Sequence, residues 1–375
     1  MKLIRIGELI ELNNEKNISG KLTKTDVVGM TITKEIIPTK ANLNNSDLNK
    51  FIIIRPNDFV YNPRTHGKRI GLGFNDTNKS FLISWNNISF RVKKTKLEEI
   101  NPIFLFMWFN RNEWDRNATF NSWGSSTEVF SWEEMCDMKI PLPNIKIQNK
   151  YVAIYKAMQD NLKVYQSKLD DLKLVCDTTI ENQKKEFELK PIKKYCILSD
   201  EINTNGICKN VKGLTVYKRF IDTKANMNDV SLKNYKIVNP GDIAYVPTTN
   251  RNGDKIACGI AKEKCIVSST YEVLRVNDRE KLNPEYLFLW FKRKEMDRFA
   301  RYNSWGSARE TITWSELGEY KIPIPSIDIQ NDIVNVSNIL VQRKKIVETL
   351  IKNINKMCPI LVKGAIQEGE KERNE

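Results

Sequence analysis

Two loops rich in basic and amide side chains hold the residues of this sequence that are best suited to binding chemistry. The first loop follows the β-rich run IIIRPNDFVYNP at 52–63, and the second follows the matching run KIVNPGDIAYVP at 236–247. Such side chains reach phosphate oxygens and the edges of bases, so the loops favour nucleic-acid binding. The candidate residues are Arg64, Thr65, His66, Lys68 and Arg69 in the first loop and Thr248, Thr249, Arg251, Asn252 and Lys255 in the second.

A second candidate site surrounds the motif Asn-Ser-Trp-Gly-Ser, which occurs at 121–125 and again at 303–307. We expect the tryptophans of the motif, Trp123 and Trp305, to pack in the core, although an aromatic ring between small residues can also stack on an extruded base. Guanidinium groups near the motif are the better candidates for DNA contact because they pair with phosphates. These arginines are Arg116, Arg298, Arg301 and Arg309.

The sequence holds no recognisable catalytic constellation. The single histidine, His66, lies in a Gly- and Lys-rich loop and has no counterpart in the second half of the chain. The Gly-x-Gly at 71–73 is too short a pattern to indicate a cofactor loop. The run NPRT at 62–65 begins like an amino-methyltransferase motif but lacks its second proline and its aromatic residue. We therefore expect no catalytic residue, no metal and no cofactor on this chain.

These motifs belong to an internal duplication that organises the whole chain. Residues 121–149 match residues 303–331 at 16 of 29 positions without a gap, at a constant offset of 182. The duplication extends upstream, where VVGMTITKEIIPTKAN at 27–42 matches VKGLTVYKRFIDTKAN at 211–226. A repeat of this length indicates two copies of one structural unit.

Each copy combines a strand-rich segment with a long helical segment. Ile52–Ile54, Phe59–Tyr61 and Phe81–Val92 are β-rich, and Asn101-Pro102 is typical of a helix start, with the helix running to about Arg116. After the motif Ile-Pro-x-Pro, apolar residues recur at heptad spacing over roughly 40 residues in each copy. This pattern predicts two helices of about 60 Å that bury their apolar stripes against each other.

The predicted fold class is α+β, with two repeated α/β domains separated by two long antiparallel coiled-coil-like helices in a pseudo-two-fold arrangement. At 375 residues the chain is longer than one hydrophobic core usually supports. The predicted boundaries are 1–145 for the first domain, 146–188 for the first helix, 189–327 for the second domain, 328–368 for the second helix and 369–375 for a polar tail.

The charge of the chain favours a polyanionic partner. The formal net charge is +14, of which +5 lies in residues 1–146 and +7 in residues 187–326, the two strand-rich segments. Seven scattered cysteines without a Cys-x-x-Cys pair argue against disulfides and structural zinc. Because the sequence has no run of about 18 apolar residues and no signal-peptide core, a reducing cytoplasm is the expected location.

Together the repeated motifs resemble the specificity subunit of Type I restriction–modification systems. In each copy a strand led by Gly-Asp or Asn-Asp is followed by a basic polar loop, a Gly-Ser element, the motif I-P-x-P-x-I-x-x-Q and a long helix. The resemblance covers nearly the whole chain. The first copy departs from it where Asn57 replaces the usual glycine, which affects the local turn.

The resemblance implies a non-catalytic subunit whose two domains each read one half of a bipartite double-stranded DNA target. It implies that the helices act as a spacer and dock two adenine-methyltransferase subunits, joined by restriction subunits in the nuclease. S-adenosylmethionine, ATP and Mg would then be bound by the partner subunits. The resemblance assigns no individual base contact.

Two alternatives stay open from the sequence. One is a DNA methyltransferase that carries its own recognition domain, which would need a cofactor loop and a catalytic motif. The other is an architectural or regulatory DNA-binding protein, which would form a homodimer and have no methyltransferase partner.

Overall fold

The structure is a computed structural model, and it describes residues 3–65, 69–125, 127–223, 225–227, 230–248, 255–306 and 309–374. The chain divides into two compact units. Unit 1 comprises Met1–Tyr165 and Ile346–Glu375, and unit 2 comprises Gln166–Lys345. Within the described residues, no helix is long and apolar enough to cross a membrane.

Unit 1 is a mixed α/β structure. Its strands are β1 (Leu3–Arg5), β2 (Ile10–Leu12), β3 (Val28–Met30), β4 (Ile36–Pro38), β5 (Ile52–Ile54), β6 (Phe59–Tyr61), β7 (Leu72–Phe74), β8 (Phe81–Ile83), β9 (Ile88–Val92) and β10 (Lys139–Pro141). Its helices are α1 (Ile6–Leu9), α2 (Pro102–Phe109), α3 (Asn112–Phe120), α4 (Trp132–Asp137) and α5 (Ile145–Ser167), the last of which ends just past the unit boundary. The main sheet is antiparallel with the order β2-β9-β6-β7, and the two-stranded pairs are β1–β10, β3–β4 and β5–β8.

Aromatic side chains form the core of unit 1 between the main sheet and α2. Phe59 of β6 stacks on Phe90 of β9 with ring centroids 4.9 Å apart. Phe109 at the end of α2 meets Phe59 edge-on at 5.8 Å. All three residues of β6 are buried, as expected for a central strand that is covered on both faces.

Helix α2 begins as predicted but is shorter than predicted. The side chain of Asn101 accepts a hydrogen bond from the N–H of Ile103 at 2.9 Å, and Pro102 is the first helical residue. The expectation that this helix runs to about Arg116 is wrong, because α2 ends at Phe109 and α3 begins at Asn112. Between them, Arg111 has an extended backbone (φ −88°, ψ 141°), which interrupts the helical hydrogen bonds.

The glutamine of the motif I-P-x-P-x-I-x-x-Q joins the long helix to the domain that precedes it. Gln148 is fully buried at the start of α5. Its amide nitrogen donates to the carbonyls of Glu99 and Pro143, each at 2.8 Å. Its amide oxygen accepts from the N–H of Asn101, the cap of α2, at 2.9 Å. Gln330 makes the equivalent three bonds in unit 2, so the motif has the same function in both copies.

Unit 2 repeats this architecture. Its strands are β11 (Leu189–Pro191), β12 (Cys196–Leu198), β13 (Lys212–Thr215), β14 (Arg219–Asp222), β15 (Lys236–Val238), β16 (Ile243–Tyr245), β17 (Cys258–Ile260), β18 (Cys265–Val267), β19 (Glu272–Val276) and β20 (Lys321–Pro323). Its helices are α6 (Leu169–Glu186), α7 (Pro284–Phe291), α8 (Lys294–Tyr302), α9 (Trp314–Leu317) and the first part of α10 (Ile327–Asn374). The main sheet has the order β12-β19-β16-β17, with the pairs β11–β20, β13–β14 and β15–β18, so each sheet of unit 1 has a counterpart.

The long helical segments differ from their predicted bounds. The segment predicted as one helix over 146–188 is divided into α5 and α6, which are separated at Lys168. The second segment is one helix, α10, which continues through Pro359. It ends at Asn374, so residues 369–374 of the predicted polar tail are helical.

The long helices α5 and α10 pack side by side in unit 1. In unit 1, Lys150 of α5 pairs with Glu368 of α10 at 2.9 Å, and Asn144 bonds Glu372, so the two helices run in opposite directions. In unit 2, Ile180 of α6 and the first part of α10 contribute to one buried cluster.

Candidate nucleic-acid interface

A polar cleft of about 420 Å³ opens on unit 1 next to the loop that follows β6. Three residues predicted from the sequence line it, together with the start of the β3–β4 hairpin and part of the repeated TKAN motif. The predicted residues are Arg64, Thr65 and Arg69. Asparagine side chains add hydrogen-bond donors and acceptors of the kind that read base edges, and they are Asn42, Asn62, Asn86 and Asn87.

The three predicted residues of the cleft differ in what they offer a ligand. Thr65 is buried, its N–H donates to the carbonyl of Glu128 at 3.1 Å, and its hydroxyl donates to the same residue at 3.3 Å. Thr65 therefore anchors the loop to Glu128, and its role as a DNA contact stays a prediction. Arg64 and Arg69 are both exposed, and the guanidinium of Arg69 donates to Asn112 at 3.5 Å.

A small three-strand ladder brings the two predicted sites of unit 1 together. Arg64 lies opposite Val129, and Val129 lies opposite Trp123 of the Asn-Ser-Trp-Gly-Ser motif. Val129 and Trp123 exchange backbone hydrogen bonds at 3.0 and 3.1 Å. Residues that lie opposite each other across strands carry their side chains on the same face. Arg64 and Trp123 therefore project from one surface.

Unit 2 has the same ladder with different residues at two of its three positions. Thr248 lies opposite Thr311, and Thr311 lies opposite Trp305. The N–H of Ile312 donates to the carbonyl of Pro247 at 3.0 Å, which fixes the loop after β16 to this ladder. The structure thus joins the loop and the Trp-Gly-Ser motif in both copies.

The tryptophans of the motif are not core residues, contrary to the expectation from the sequence. Trp123 is 66% exposed and Trp305 is 67% exposed. Each precedes a glycine in the left-handed region, Gly124 (φ +153°) and Gly306 (φ +142°). A Cβ on Gly124 would lie 2.1 Å from the carbonyl oxygen of Thr127, so only glycine fits this turn. The turn holds the tryptophan outward instead of folding it under the loop.

The predicted arginines of α3 and α8 lie at the surface near this ladder. Arg116 and Arg298 are exposed at equivalent positions of the two helices, and Arg116 is 3.9 Å from Glu113. Arg301 forms an ion pair with Glu310. Arg309 and Lys255 are exposed. The remaining predicted residues, His66, Lys68, Thr249, Arg251 and Asn252, lie outside the described residues.

A buried ion pair fixes the β3–β4 hairpin of unit 1 to α3. The Lys34 ammonium lies 2.6 Å from Asp115, with the two side chains 4% and 9% exposed. The same ammonium donates to the carbonyl of Ile70 at 2.8 Å, immediately after the candidate DNA-binding loop, and lies 4.9 Å from the ring centroid of Trp114. Burial lowers the pKa of Lys34, and the charge of Asp115 opposes that effect.

Unit 2 contains the same buried pair. The Lys218 ammonium pairs with Asp297 and donates to the carbonyl of Ile256 at 2.6 Å. Lys34 and Lys218 are both in the left-handed region, with φ of 65° and 59°. Sequence reasoning missed these pairs because their members lie about 80 residues apart. The sequence did contain a signal for these pairs, because the lysine and the aspartate are each identical in the two copies.

The aspartate that leads the Pro-x-Asp strand is structural in both units. Asp58 accepts from the side chain of Asn13 at 2.9 Å and lies 3.3 Å from Arg91, and burial raises its pKa to about 6. Asp242 accepts two hydrogen bonds from Arg275, at 3.0 and 2.7 Å. Asn57 is in the left-handed conformation (φ 68°) at the turn where the second copy has a glycine, a conformation that asparagine tolerates.

Sequence reasoning also missed Trp85. This side chain is 66% exposed, and its neighbours Ser84 and Asn86 line the cleft. The equivalent position of the second copy is Ser269, so the two units differ here. Among the side chains that the structure describes, no cluster of three or more His, Cys, Asp or Glu residues could hold a metal ion.

Comparison with known proteins gives a family and a fold. The family model described as "Type I restriction modification DNA specificity domain" matches residues 167–356, about half of the chain. The S subunit of a Type I restriction–modification system from M. genitalium shares 12% sequence identity at a TM-score of 0.61, with 97% of this chain and 95% of that chain covered. The HsdS subunit from Thermoanaerobacter tengcongensis shares 15% identity at a TM-score of 0.38, with coverage of 97% and 96%. A search of the curated proteins finds no match.

The chain belongs to the Type I restriction–modification DNA specificity family. Its function is the recognition of DNA for such a system. At 12% identity, the similarity to the S subunit from M. genitalium shows that the two chains share a fold.

Proposed function

We propose that unit 1 and unit 2 each read one half of a two-part DNA target. The main support for this proposal is that the two units share one scaffold but have different loops after β6 and β16. The sheets, the buried Lys–Asp pair and the helix-anchoring glutamine are the same in both units. The loops after β6 and β16 differ in sequence and in length, so each unit is suited to a different set of bases.

Affinity and specificity would come from different side chains. The positive excess of the two strand-rich segments supports phosphate contacts, which supply sequence-independent binding that weakens with salt. Base edges would be read by the loop residues and by the asparagines of the cleft in unit 1. The proposed DNA contacts are Arg64, Thr65, His66, Lys68, Arg69, Arg116, Thr248, Thr249, Arg251, Asn252, Lys255, Arg298, Arg301 and Arg309.

We further propose that the chain is the non-catalytic subunit of a cytoplasmic complex. Two repeated target-recognition domains, 1–145 and 189–327, would be held apart by antiparallel helices in a pseudo-two-fold arrangement, and those helices would dock two methyltransferase subunits. Restriction subunits would join the same complex. S-adenosylmethionine, ATP and Mg would be bound by those partners. The internal duplication and the family support this arrangement.

A loop exchange within the chain tests the reading of half-sites. Replacing residues 64–69 with residues 248–255 keeps the flanking proline and isoleucine of unit 1, because Pro63 and Ile70 correspond to Pro247 and Ile256. Methylome sequencing of the host that carries the variant should show a change in one half of the methylated motif. A change in both halves, or an unchanged motif, would contradict independent reading.

A binding measurement tests the absence of a catalytic site. The isolated chain should not bind S-adenosylmethionine in a calorimetric titration, whereas its complex with methyltransferase subunits should. Binding by the isolated chain would instead favour a methyltransferase that carries its own recognition domain.

A further inference from the structure

Each unit exposes two large aromatic side chains at the same repeat positions. Phe120 and Trp123 in unit 1 are 77% and 66% exposed, and Tyr302 and Trp305 in unit 2 are 81% and 67% exposed. Single exposed apolar residues are common on protein surfaces and need no explanation. A pair that recurs in two units is a surface feature of the fold, and its rings are available to a partner.

An arginine lies one helical turn before each pair. Arg116 of α3 is four residues before Phe120, and Arg298 of α8 is four residues before Tyr302. Residues four apart lie on the same face of a helix, so the guanidinium group and the ring are neighbours. Both arginines are exposed. A cation beside two flat apolar rings suits a ligand that has phosphates and flat apolar groups close together.

We propose that these groups bind duplex DNA without regard to its sequence. We call Arg116, Phe120 and Trp123 the aromatic patch of unit 1, and Arg298, Tyr302 and Trp305 the aromatic patch of unit 2. The rings pack against sugars or stack on a base that is turned out of the helix, and the arginine contacts a phosphate. The inference rests on the proposed function, because it takes the loops after β6 and β16 as the loops that read DNA.

The ladder places each tryptophan within the footprint of the same duplex. Arg64 and Trp123 are separated by two strand spacings, which is about 10 Å, and they project from one face. The major groove of DNA is about 12 Å wide. A duplex whose groove is contacted by Arg64 therefore lies within reach of Trp123. The same geometry relates Thr248 to Trp305 in unit 2.

The comparison between the units explains why the contact is independent of sequence. Arg64 and Thr248 differ at the loop end of the ladder, whereas Trp123 and Trp305 are the same at its other end. A side chain that is shared by two units with different loops must meet a chemical group that both half-sites offer. Packing on a sugar, or stacking on a base that is turned out of the helix, meets this condition because every nucleotide has both surfaces.

The test uses the chain assembled with its methyltransferase subunits and two duplexes, one with the methylated motif and one without it. Trp123→Ala and Trp305→Ala are measured singly and together by fluorescence anisotropy. Each single change should weaken binding of both duplexes by about 5- to 150-fold, with the ratio of the two affinities unchanged. Trp123→Phe should restore part of the loss. Leu97→Ala is the matched control, since Leu97 is an exposed apolar residue of unit 1 outside the aromatic patch.

Three results would overturn the inference. Unchanged affinity for both duplexes would show that the tryptophans do not contact DNA. Loss of assembly with the methyltransferase subunits, seen by native mass spectrometry, assigns the aromatic patch to a protein partner. A loss confined to the duplex with the motif makes the tryptophan a base-reading residue. The loop exchange is run beside these variants: if it changes the motif and the tryptophan variants do nothing, only this inference fails, whereas an unchanged motif contradicts the proposed function itself.

Discussion

Breaking the buried ion pair of unit 1 should destabilise the protein far more than removing both of its members. Lys34→Met leaves the Asp115 carboxylate unpaired among buried groups, and it removes a hydrogen bond to the carbonyl of Ile70. Losing one partner of a buried pair typically costs about 3–5 kcal/mol, because the remaining charge stays desolvated. We expect a loss in this range for Lys34→Met, and a similar loss for Asp115→Leu.

The double variant Lys34→Met/Asp115→Leu removes both charges and fills the site with apolar atoms. Replacements of this kind are often close to neutral, so the double variant should recover most of the stability that either single variant loses. For a domain of this size, Tm falls by about 2–4 °C for each kcal/mol. Each single variant should therefore lower the Tm of the unit 1 transition by about 6–20 °C. Urea unfolding of the full chain, followed by circular dichroism, gives the free energies.

Two controls locate the effect. Lys218→Met breaks the equivalent pair with Asp297 and should destabilise unit 2 instead. Lys50→Met removes an exposed pair with Asp47, at 3.8 Å, and should cost less than about 1 kcal/mol. If the double variant is as unstable as the two single losses added together, the two residues do not stabilise each other, and the reasoning from the buried pair is refuted.

Three further predictions concern other residues. Gln148→Ala leaves one buried and two partly buried backbone groups without their partner and should cost about 3 kcal/mol in urea unfolding, whereas the exposed Gln166→Ala should cost nothing measurable. Gly124→Ala should destabilise unit 1 by more than about 2 kcal/mol in thermal unfolding, while Gly29→Ala, where a Cβ meets nothing within 4 Å, should cost less than about 1 kcal/mol. Burial alone would raise the pKa of Glu295, but its own backbone N–H and Arg293 outweigh that effect and lower the pKa to about 2. Because the pKa is lower in the folded state, Glu295 stabilises the protein above pH 4.5, and this contribution disappears as the pH falls towards 2. The difference in unfolding free energy between wild type and Glu295→Gln should therefore shrink over that range. A constant difference would contradict the lowered pKa.

Short strands bounded by turn residues were predictable from the sequence. Ile52–Ile54 and Phe59–Tyr61 coincide with β5 and β6, because β-branched and aromatic residues flank a Pro-Asn-Asp turn. Phe81–Val92 contains β8 and β9, as expected. The alternation of side chains and the turn signal are both local, so these strands needed no knowledge of the rest of the chain.

The breaks in the long helices were not predictable from local propensity. Proline is the residue least compatible with a helix interior, yet α10 continues through Pro359, whereas the first long helix divides at Lys168. Buried residues flank the proline on the same helix, among them Cys358, Leu361 and Val362. Their packing continues on both sides of the proline and outweighs its local cost. The spacing of apolar residues in the sequence does not show whether packing outweighs the local cost of a proline.

The position of the tryptophans shows a different limit of sequence reasoning. A tryptophan between small residues is most often at least partly buried, which is why core packing was expected for Trp123. Whether it turns inward depends on the backbone of Gly124 and on the pairing with Val129. Residues 62–65 supply the third strand of that ladder, more than 50 residues earlier in the chain. Only the folded structure joins them.

The duplication separates residues that maintain the scaffold from residues that face a partner. Identical residues with buried side chains, such as Gln148 and Gln330, have the same bonding in both units, so the scaffold explains why both copies have them. Loop residues that differ, such as Arg64 and Thr248, are the ones for which we propose contacts with different half-sites. Trp123 fits neither group, because it is identical to Trp305 and yet both are exposed. The packing of the scaffold does not require an exposed ring at this position, and the contact with duplex DNA that we propose explains why each unit has one.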